Sequence, residues 1–193
     1  MKGRPNIHQN HEIILKAQEL FWQKGYNATS LSDLSYATGA GAGSLYNIFK
    51  GGKKELFNKA LQQRREDFNA FRELLQKSDN PIQQIKLFFL HTAEADQTAH
   101  QKGCIVANTL VEMTFVDNEL KEEAEKILKE TEELYRNVIS DEQNKGTLQT
   151  KVPADVLSKY LITFWLGINS LRRIYPDHKT LKTQIKLQLE ILS

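Results

Sequence analysis

Residues 41–47 read Gly-Ala-Gly-Ser-Leu-Tyr-Asn, with the hydroxyls of Thr29 and Ser30 upstream and Lys53 and Lys54 downstream. The chemistry open to this set is noncovalent. Hydroxyls and ammonium groups meet oxyanions, and small side chains at Gly41, Ala42, Gly43 and Ser44 let a backbone come close to another surface. Asn47 adds an amide that can both donate and accept. The usual catalytic and ligand-binding motifs are missing. Gly39-Ala40-Gly41-Ala42-Gly43 lacks the G-x-G-x-x-G spacing and the preceding strand of a dinucleotide loop. Gly52-Lys53 lacks the upstream glycine and the Ser/Thr of a phosphate-binding loop. The five histidines show no H-E-x-x-H spacing, and no Cys/His cluster suits zinc. Neither paired carboxylates nor a nucleophile–base spacing stands out, so no enzyme, cofactor or metal centre is expected.

The elements that must hold these residues are short helices. Ser30 can cap a helix, with Asp33 placed three residues later for the reciprocal bond. Leu31, Leu34 and Ala37 share one helical face, and Thr38-Gly39 ends it. A second piece runs from about Gly41 to Asn47. Two helices joined by a tight turn with glycine form a helix-turn-helix, whose second helix enters the DNA major groove.

Here the sequence resembles the TetR family of bacterial transcriptional repressors. The matching residues are Phe21, Gly25-Tyr26, Thr29-Ser30-Leu31, Asp33-Leu34, Ala37-Thr38-Gly39, Gly43-Ser44-Leu45-Tyr46, Phe49 and Lys53-Lys54-Glu55-Leu56-Phe57. The likeness is strong over about residues 8–60 and continues as a helical pattern of the right length. It implies a homodimeric repressor on a palindromic double-stranded operator, released by a small-molecule inducer. The expected phosphate contacts are Thr29, Ser30, Tyr46, Lys53 and Lys54, with Gly41, Ala42, Ser44 and Asn47 facing the groove. Family members often carry a basic or larger polar residue where Ala42 stands, and His or Tyr at Asn47 and Ile48. Base reading is therefore expected to rest on Ser44 and Asn47.

Charge is distributed accordingly. Residues 1–54 hold seven basic and three acidic side chains, a balance of +4, and the remainder holds 19 basic and 21 acidic, a balance of −2. A basic head on a mildly acidic body suits a DNA-binding domain at 1–54 joined to another at 55–193. Met1 to Asn10 is polar, and it reads as an arm whose Lys2 and Arg4 can lie on phosphates or in the minor groove. No secretory leader is read there, and no apolar run approaches the ~18 residues that span a bilayer. A single cysteine allows no intramolecular disulfide, which fits a cytoplasmic protein without membrane contact.

The rest reads as helix throughout, giving an all-α chain of about nine helices. A first helix is expected over His11–Lys24 and a long one over Lys53–Lys77, the latter about 36 Å at ~1.5 Å per residue. Pro81 to about Thr98 follows, then a segment beginning at Gly103. Asp117–Ile139 has one apolar face, and Ser140–Val152 reads as a polar loop. Pro153 to about Ile174 and Lys179–Leu192 are so apolar that they need a partner surface, either the chain's own body or the same two helices of a second copy; with the homodimer that the resemblance implies, the last two helices are the expected four-helix interface.

The body is rich in aromatics with polar groups interleaved, a mixture suited to an apolar or amphipathic ligand. The expected lining is Phe68, Phe71, Phe88, His91, Thr92, Cys104, Asn108, Phe115, Trp165 and Asn169. Cys104 has two readings, a small buried hydrophobe or a thiol sensor at a helix start. The alternative to a regulator is an interaction or ligand-binding module whose helix-turn-helix is vestigial.

Overall fold

A computed structural model describes residues 7–175 and 177–193. Ten α-helices follow one another there: α1 (Ile7–Lys24), α2 (Leu31–Thr38), α3 (Ala42–Ile48), α4 (Gly52–Lys77), α5 (Pro81–His91), α6 (Gln97–Lys102), α7 (Ile105–Met113), α8 (Asn118–Lys145), α9 (Ala154–Leu171) and α10 (His178–Leu189). No strand occurs among the described residues. The chain forms two compact units, residues 1–67 with 105–125, and residues 68–104 with 126–193. Helix α7 and the start of α8 belong to the first unit.

In the first unit the apolar stripe of α1 (Ile13, Ala17, Phe21) is buried together with Leu34, Leu45, Phe49, Leu56, Phe57, Ala60 and Leu61. The Phe21 and Phe57 rings meet edge to face, centroids 4.8 Å apart, and Tyr26 meets Phe57 at 5.0 Å. Burying each phenylalanine contributes roughly 2–3 kcal/mol. The Gln18 side-chain amide donates to the Ala60 carbonyl at 2.8 Å, fixing α1 on α4.

The second unit has its own core of Ile85, Phe89, Tyr135, Ile139, Leu157, Leu161, Ile168, Leu181, Ile185 and Leu189. Phe89 is stacked on Phe164 at 5.2 Å. Complete burial of Tyr135 pushes its phenol well above the ordinary range.

Three boundaries differ from the periodicity reading. Helix α1 begins at Ile7, four residues before the expected His11 and inside the stretch read as an arm. The helix expected from Pro81 to Thr98 ends at His91, passes through a 3-10 turn (Thr92–Glu94) and restarts as α6. The cause is Asp96, whose carboxylate accepts the Ala99 N–H at 2.8 Å and caps a new helix. That restart supplies the tenth helix. The expected loop from Ser140 instead continues α8 to Lys145. Glu142 there pairs with Lys145 at 2.7 Å and accepts from the Thr147 hydroxyl, and Gly146 ends the helix.

Candidate nucleic-acid interface

Helix α2 starts as its sequence dictates. Ser30 Oγ accepts the Asp33 N–H at 3.0 Å, and Asp33 returns the bond to the Ser30 N–H at 2.9 Å. Lys24 pairs with Asp33 at 2.8 Å. These bonds hold the Asp33 carboxyl far below the ordinary carboxylate range. Gly39 closes the helix with its N–H on the Ser35 carbonyl. A two-residue link, Ala40-Gly41, leads into α3.

Helix α3 divides into two faces. Leu45 is buried with Leu34 and Phe49, seating the helix on the unit. Ala42, Gly43, Ser44 and Asn47 are exposed, and Tyr46 is 52% exposed. A Cβ added to Gly41 or Gly43 would meet no atom within 4 Å. Nothing in this chain requires those two residues to be glycine, so the open space is available to something outside it. The face carries no charge of its own.

Thr29, Lys53 and Lys54, read from the sequence as phosphate contacts, have partners within the unit. Thr29 is 1% exposed and its hydroxyl donates to the Gly25 carbonyl at 2.6 Å. The Lys53 ammonium donates to the Tyr26 and Thr29 carbonyls, both at 3.0 Å, and lies 4.2 Å from the Tyr26 ring centre. Lys54 pairs with Asp117 at 2.9 Å and Glu119 at 2.8 Å. Its hydrogen bonds to those two carboxylates raise its pKa far above the usual lysine value, and the bond to Asp117 lowers that carboxyl's. Ser30, Gly41, Ala42, Ser44, Tyr46 and Asn47 remain open to solvent. Lys2 and Arg4 lie outside the described residues.

Glu112 was not singled out from the sequence, yet it holds the turn after α1. Its two carboxylate oxygens accept the backbone N–H groups of Tyr26 at 3.0 Å and Asn27 at 2.7 Å. Gly25 makes room for it. Its φ is 81°, and a Cβ there would stand 3.0 Å from a Glu112 oxygen. The signal available was one charged residue in an otherwise uncharged stretch, Cys104 to Val116. Lys50 and Tyr36 were also passed over. Both are exposed on the same unit, Tyr36 at 93%.

The ten expected ligand-lining residues do not gather as one set. Phe71, Phe88 and Trp165 do meet, with Phe88 4.7 Å from Phe71 and stacked on Trp165 at 4.9 Å. Phe68 packs at the edge of that core and carries the Arg72 guanidinium at 5.1 Å. Thr92 and Asn169 are buried. Cys104 is half-buried, immediately before α7. Asn108 and Phe115 fall in the first unit, Phe115 is 98% exposed, and His91 is exposed. The Phe115 ring therefore faces solvent: it follows α7 in the turn to α8, where no core covers it. Among the described residues no group of three metal-binding side chains assembles, and no helix is long and apolar enough to cross a membrane.

Residues 13–60 match the family model for bacterial regulatory proteins of the tetR family, and residues 81–187 match the tetracyclin repressor-like C-terminal domain. The chain belongs to the TetR family. It is a DNA-binding transcriptional regulator, not an enzyme. One relative is the HTH-type transcriptional repressor DhaR of Mycobacterium sp. (strain GP1), 24% identical over 185 residues, 93% of this chain and 90% of that one. A second is the HTH-type transcriptional repressor ComR of Escherichia coli (strain K12), 44% identical over 72 residues, 37% of this chain and 34% of that one. Among solved structures, a cysteine mutant of the TetR family regulator CifR, complexed with 26-bp operator DNA, shares the fold. Its TM-score is 0.83 at 20% identity, over 99% of this chain and 100% of that one.

Proposed function

We propose that this regulator is a cytoplasmic homodimeric repressor that sets its two α3 helices in successive major grooves of a palindromic operator and lets go when a small molecule binds. The observation that carries this reading is the divided α3. Leu45 is buried under an exposed strip of Ala42, Gly43, Ser44, Tyr46 and Asn47. Small side chains at the helix start allow close approach to base edges, with Ser44 and Asn47 as hydrogen-bonding readers. Ser30 and Tyr46 meet phosphates on either side, and the basic arm with Lys2 and Arg4 follows the backbone. Thr29, Lys53 and Lys54 act indirectly, by fixing the turn that presents Ser30 and the start of α4.

Dimerisation is assigned to α9 and α10. Val156, Leu171 and Leu187 are each at least half exposed, as are Ile174 and Tyr175 just past α9. Gly167 on α9 has no neighbour within 4 Å of a would-be Cβ, so a second helix can approach there. Paired heads about 34–36 Å apart would match successive major grooves. A small amphipathic inducer is assigned to the second unit, beside Phe71, Phe88 and Trp165. Binding there would favour head spacings that miss the operator.

The test is selection of bound fragments from genomic DNA, followed by titration of the enriched duplex against its scrambled version. The reading expects a palindromic consensus and a preference of at least about a thousandfold. It also expects affinity to fall by about 10³ or more between 50 and 200 mM salt. A protein that stays monomeric, or binds both duplexes alike, contradicts it.

A further inference from the structure

Inside the second unit three buried side chains each leave one atom without a hydrogen-bond partner: His100 Nδ1, Asn169 Oδ1 and Arg172 Nε. The three residues are 3%, 2% and 6% exposed. Such atoms are rare in folded proteins, and three in one neighbourhood call for an explanation. Asn169 and Arg172 stand three residues apart on α9 and its cap, hence on one face. Both reach Gly103. Arg172 Nη2 donates to its carbonyl at 3.0 Å, and the Asn169 backbone carbonyl lies 2.8 Å from where a Gly103 Cβ would be. Gly103 has φ 67°, and only glycine tolerates both the angle and the approach. His100 lies one turn before Gly103, on α6.

Capping accounts for part of this. Arg172 and Arg173 bind the Gly103 and Lys102 carbonyls at the end of α6, a usual task for arginine. But Arg173 does so from the surface, whereas Arg172 is buried with its Nε idle. A buried guanidinium normally faces a carboxylate. The side chains that act electrostatically on this one are Cys104 and Arg173, and no carboxylate is among them. Burial, with Arg172 close by, keeps His100 below the ordinary histidine value and so neutral near pH 7. Asp96 opposes that shift and His178 reinforces it. The backbone carbonyl of Ala95 accepts from the His100 ring, which leaves Nδ1 as an acceptor.

We propose that His100, Asn169 and Arg172 hold the head group of a small aromatic hydroxycarboxylate, the carboxylate on Arg172 and the hydroxyl donating to His100 Nδ1, with Asn169 Oδ1 as its alternative acceptor. The donor inventory selects this class. Arg172 Nε needs an acceptor, best an anion, while His100 Nδ1 and Asn169 Oδ1 need donors. The aromatic side chain nearest the three along α9 is Trp165, one turn before Asn169. The Asn169 amide donates to the Trp165 carbonyl at 2.8 Å, and Trp165 stacks on Phe88. This inference rests on the assignment of an effector to the second unit.

The probes are salicylate, its neutral amide salicylamide, and benzoate, each added to the full-length protein in melting experiments and in operator titrations. Salicylate in about hundredfold excess over its Kd should raise Tm by about 5–10 °C. Benzoate should raise it less and salicylamide not at all. Arg172→Gln should abolish the rise, and so should Asn169→Asp, which sets a fixed carboxylate beside the guanidinium, should the first variant not fold. Equal shifts from salicylate and salicylamide, or an undiminished shift in a folded Arg172→Gln protein, overturn the proposal. Silence to all three probes overturns it too, and leaves a site for internal water only. A salicylate shift without loss of operator affinity keeps the site and sinks the effector reading. Operator release by salicylamide does the reverse.

Discussion

Helix α3 and the turn joining α1 to α2 differ in what their polar groups do. Around the turn almost every polar group is engaged within the unit. Thr29 bonds Gly25, Lys53 bonds Tyr26 and Thr29, and Glu112 bonds Tyr26 and Asn27. On the outward face of α3 neither glycine is hemmed in, and Ser44, Tyr46 and Asn47 are exposed. Groups of similar chemistry thus have opposite tasks. The braced turn makes the head rigid, and the open face is left to a partner. Precise placement of a reading surface requires both.

Substitutions can break this contrast, and the largest effect is expected on the open face. Ser44→Glu puts a carboxylate where phosphates come closest. Operator affinity should fall by about a hundredfold or more, by the same electrostatics that make binding salt-dependent. Tm should move by less than about 2 °C, because Ser44 is exposed on a short helix. A variant that binds normally would show that α3 does not enter the groove.

The braced turn should respond the other way. Glu112→Gln keeps the shape but trades a charged acceptor of two N–H groups for a neutral one with a single oxygen. The expected loss is about 2 kcal/mol of stability, read as a Tm drop of about 4–8 °C in chemically clean melts. Operator affinity should fall secondarily. An unchanged Tm would mean that α7 does not brace the head.

The two lysine classes sharpen the comparison further. Lys53→Ala should cost about 1–2 kcal/mol in denaturant titrations and leave the slope of log K against log salt unchanged. Lys50→Ala should leave stability intact and lower that slope by about 0.9 if Lys50 meets one phosphate. The reverse pattern would restore Lys53 as a direct contact.

The smallest effect is electrostatic. The Lys54 hydrogen bond holds the Asp117 carboxyl below its ordinary value of 3.8. The folded state therefore binds that proton more weakly, so the contribution is present above about 3.8 and lost as pH falls below it. The Lys54 ammonium is raised above its ordinary 10.5, so its contribution is full below 10.5 and lost as pH rises beyond that. Lys54→Ala should then lower Tm only slightly between these limits, because the site is solvated. The difference from the parent should shrink as pH falls below 3.8 and Asp117 takes up its proton. A difference that persists at acid pH would show that Lys54 stabilises by packing.

The helix-turn-helix could be read from the sequence because its signals are local. Ser30 with Asp33, the apolar triplet of α2 and Gly39 act within a few residues, and all appear as expected. The restart at Asp96 has a local signal too, but the strong apolar periodicity of α5 masked it. Side-chain tasks set by distant partners were not legible. That Lys53 meets the Tyr26 carbonyl and Lys54 meets Asp117 could not be read from their surroundings in the chain. The link between Glu112 and Tyr26 spans 86 residues. The aromatic body misled differently. Periodicity ranks Phe115 with Phe88, but one lies in a solvent-facing turn and the other stacks on Trp165.

Gly43→Ala gives the most direct measurement of the contrast. Within this chain the added methyl meets nothing within 4 Å. Alanine in place of glycine inside a helix stabilises by up to about 1 kcal/mol. If the α3 face belongs to DNA, melts should show a Tm unchanged or higher by about 2–4 °C, while affinity for the selected operator falls about tenfold or more. A protein that gains stability and binds its operator as tightly as before would contradict the account.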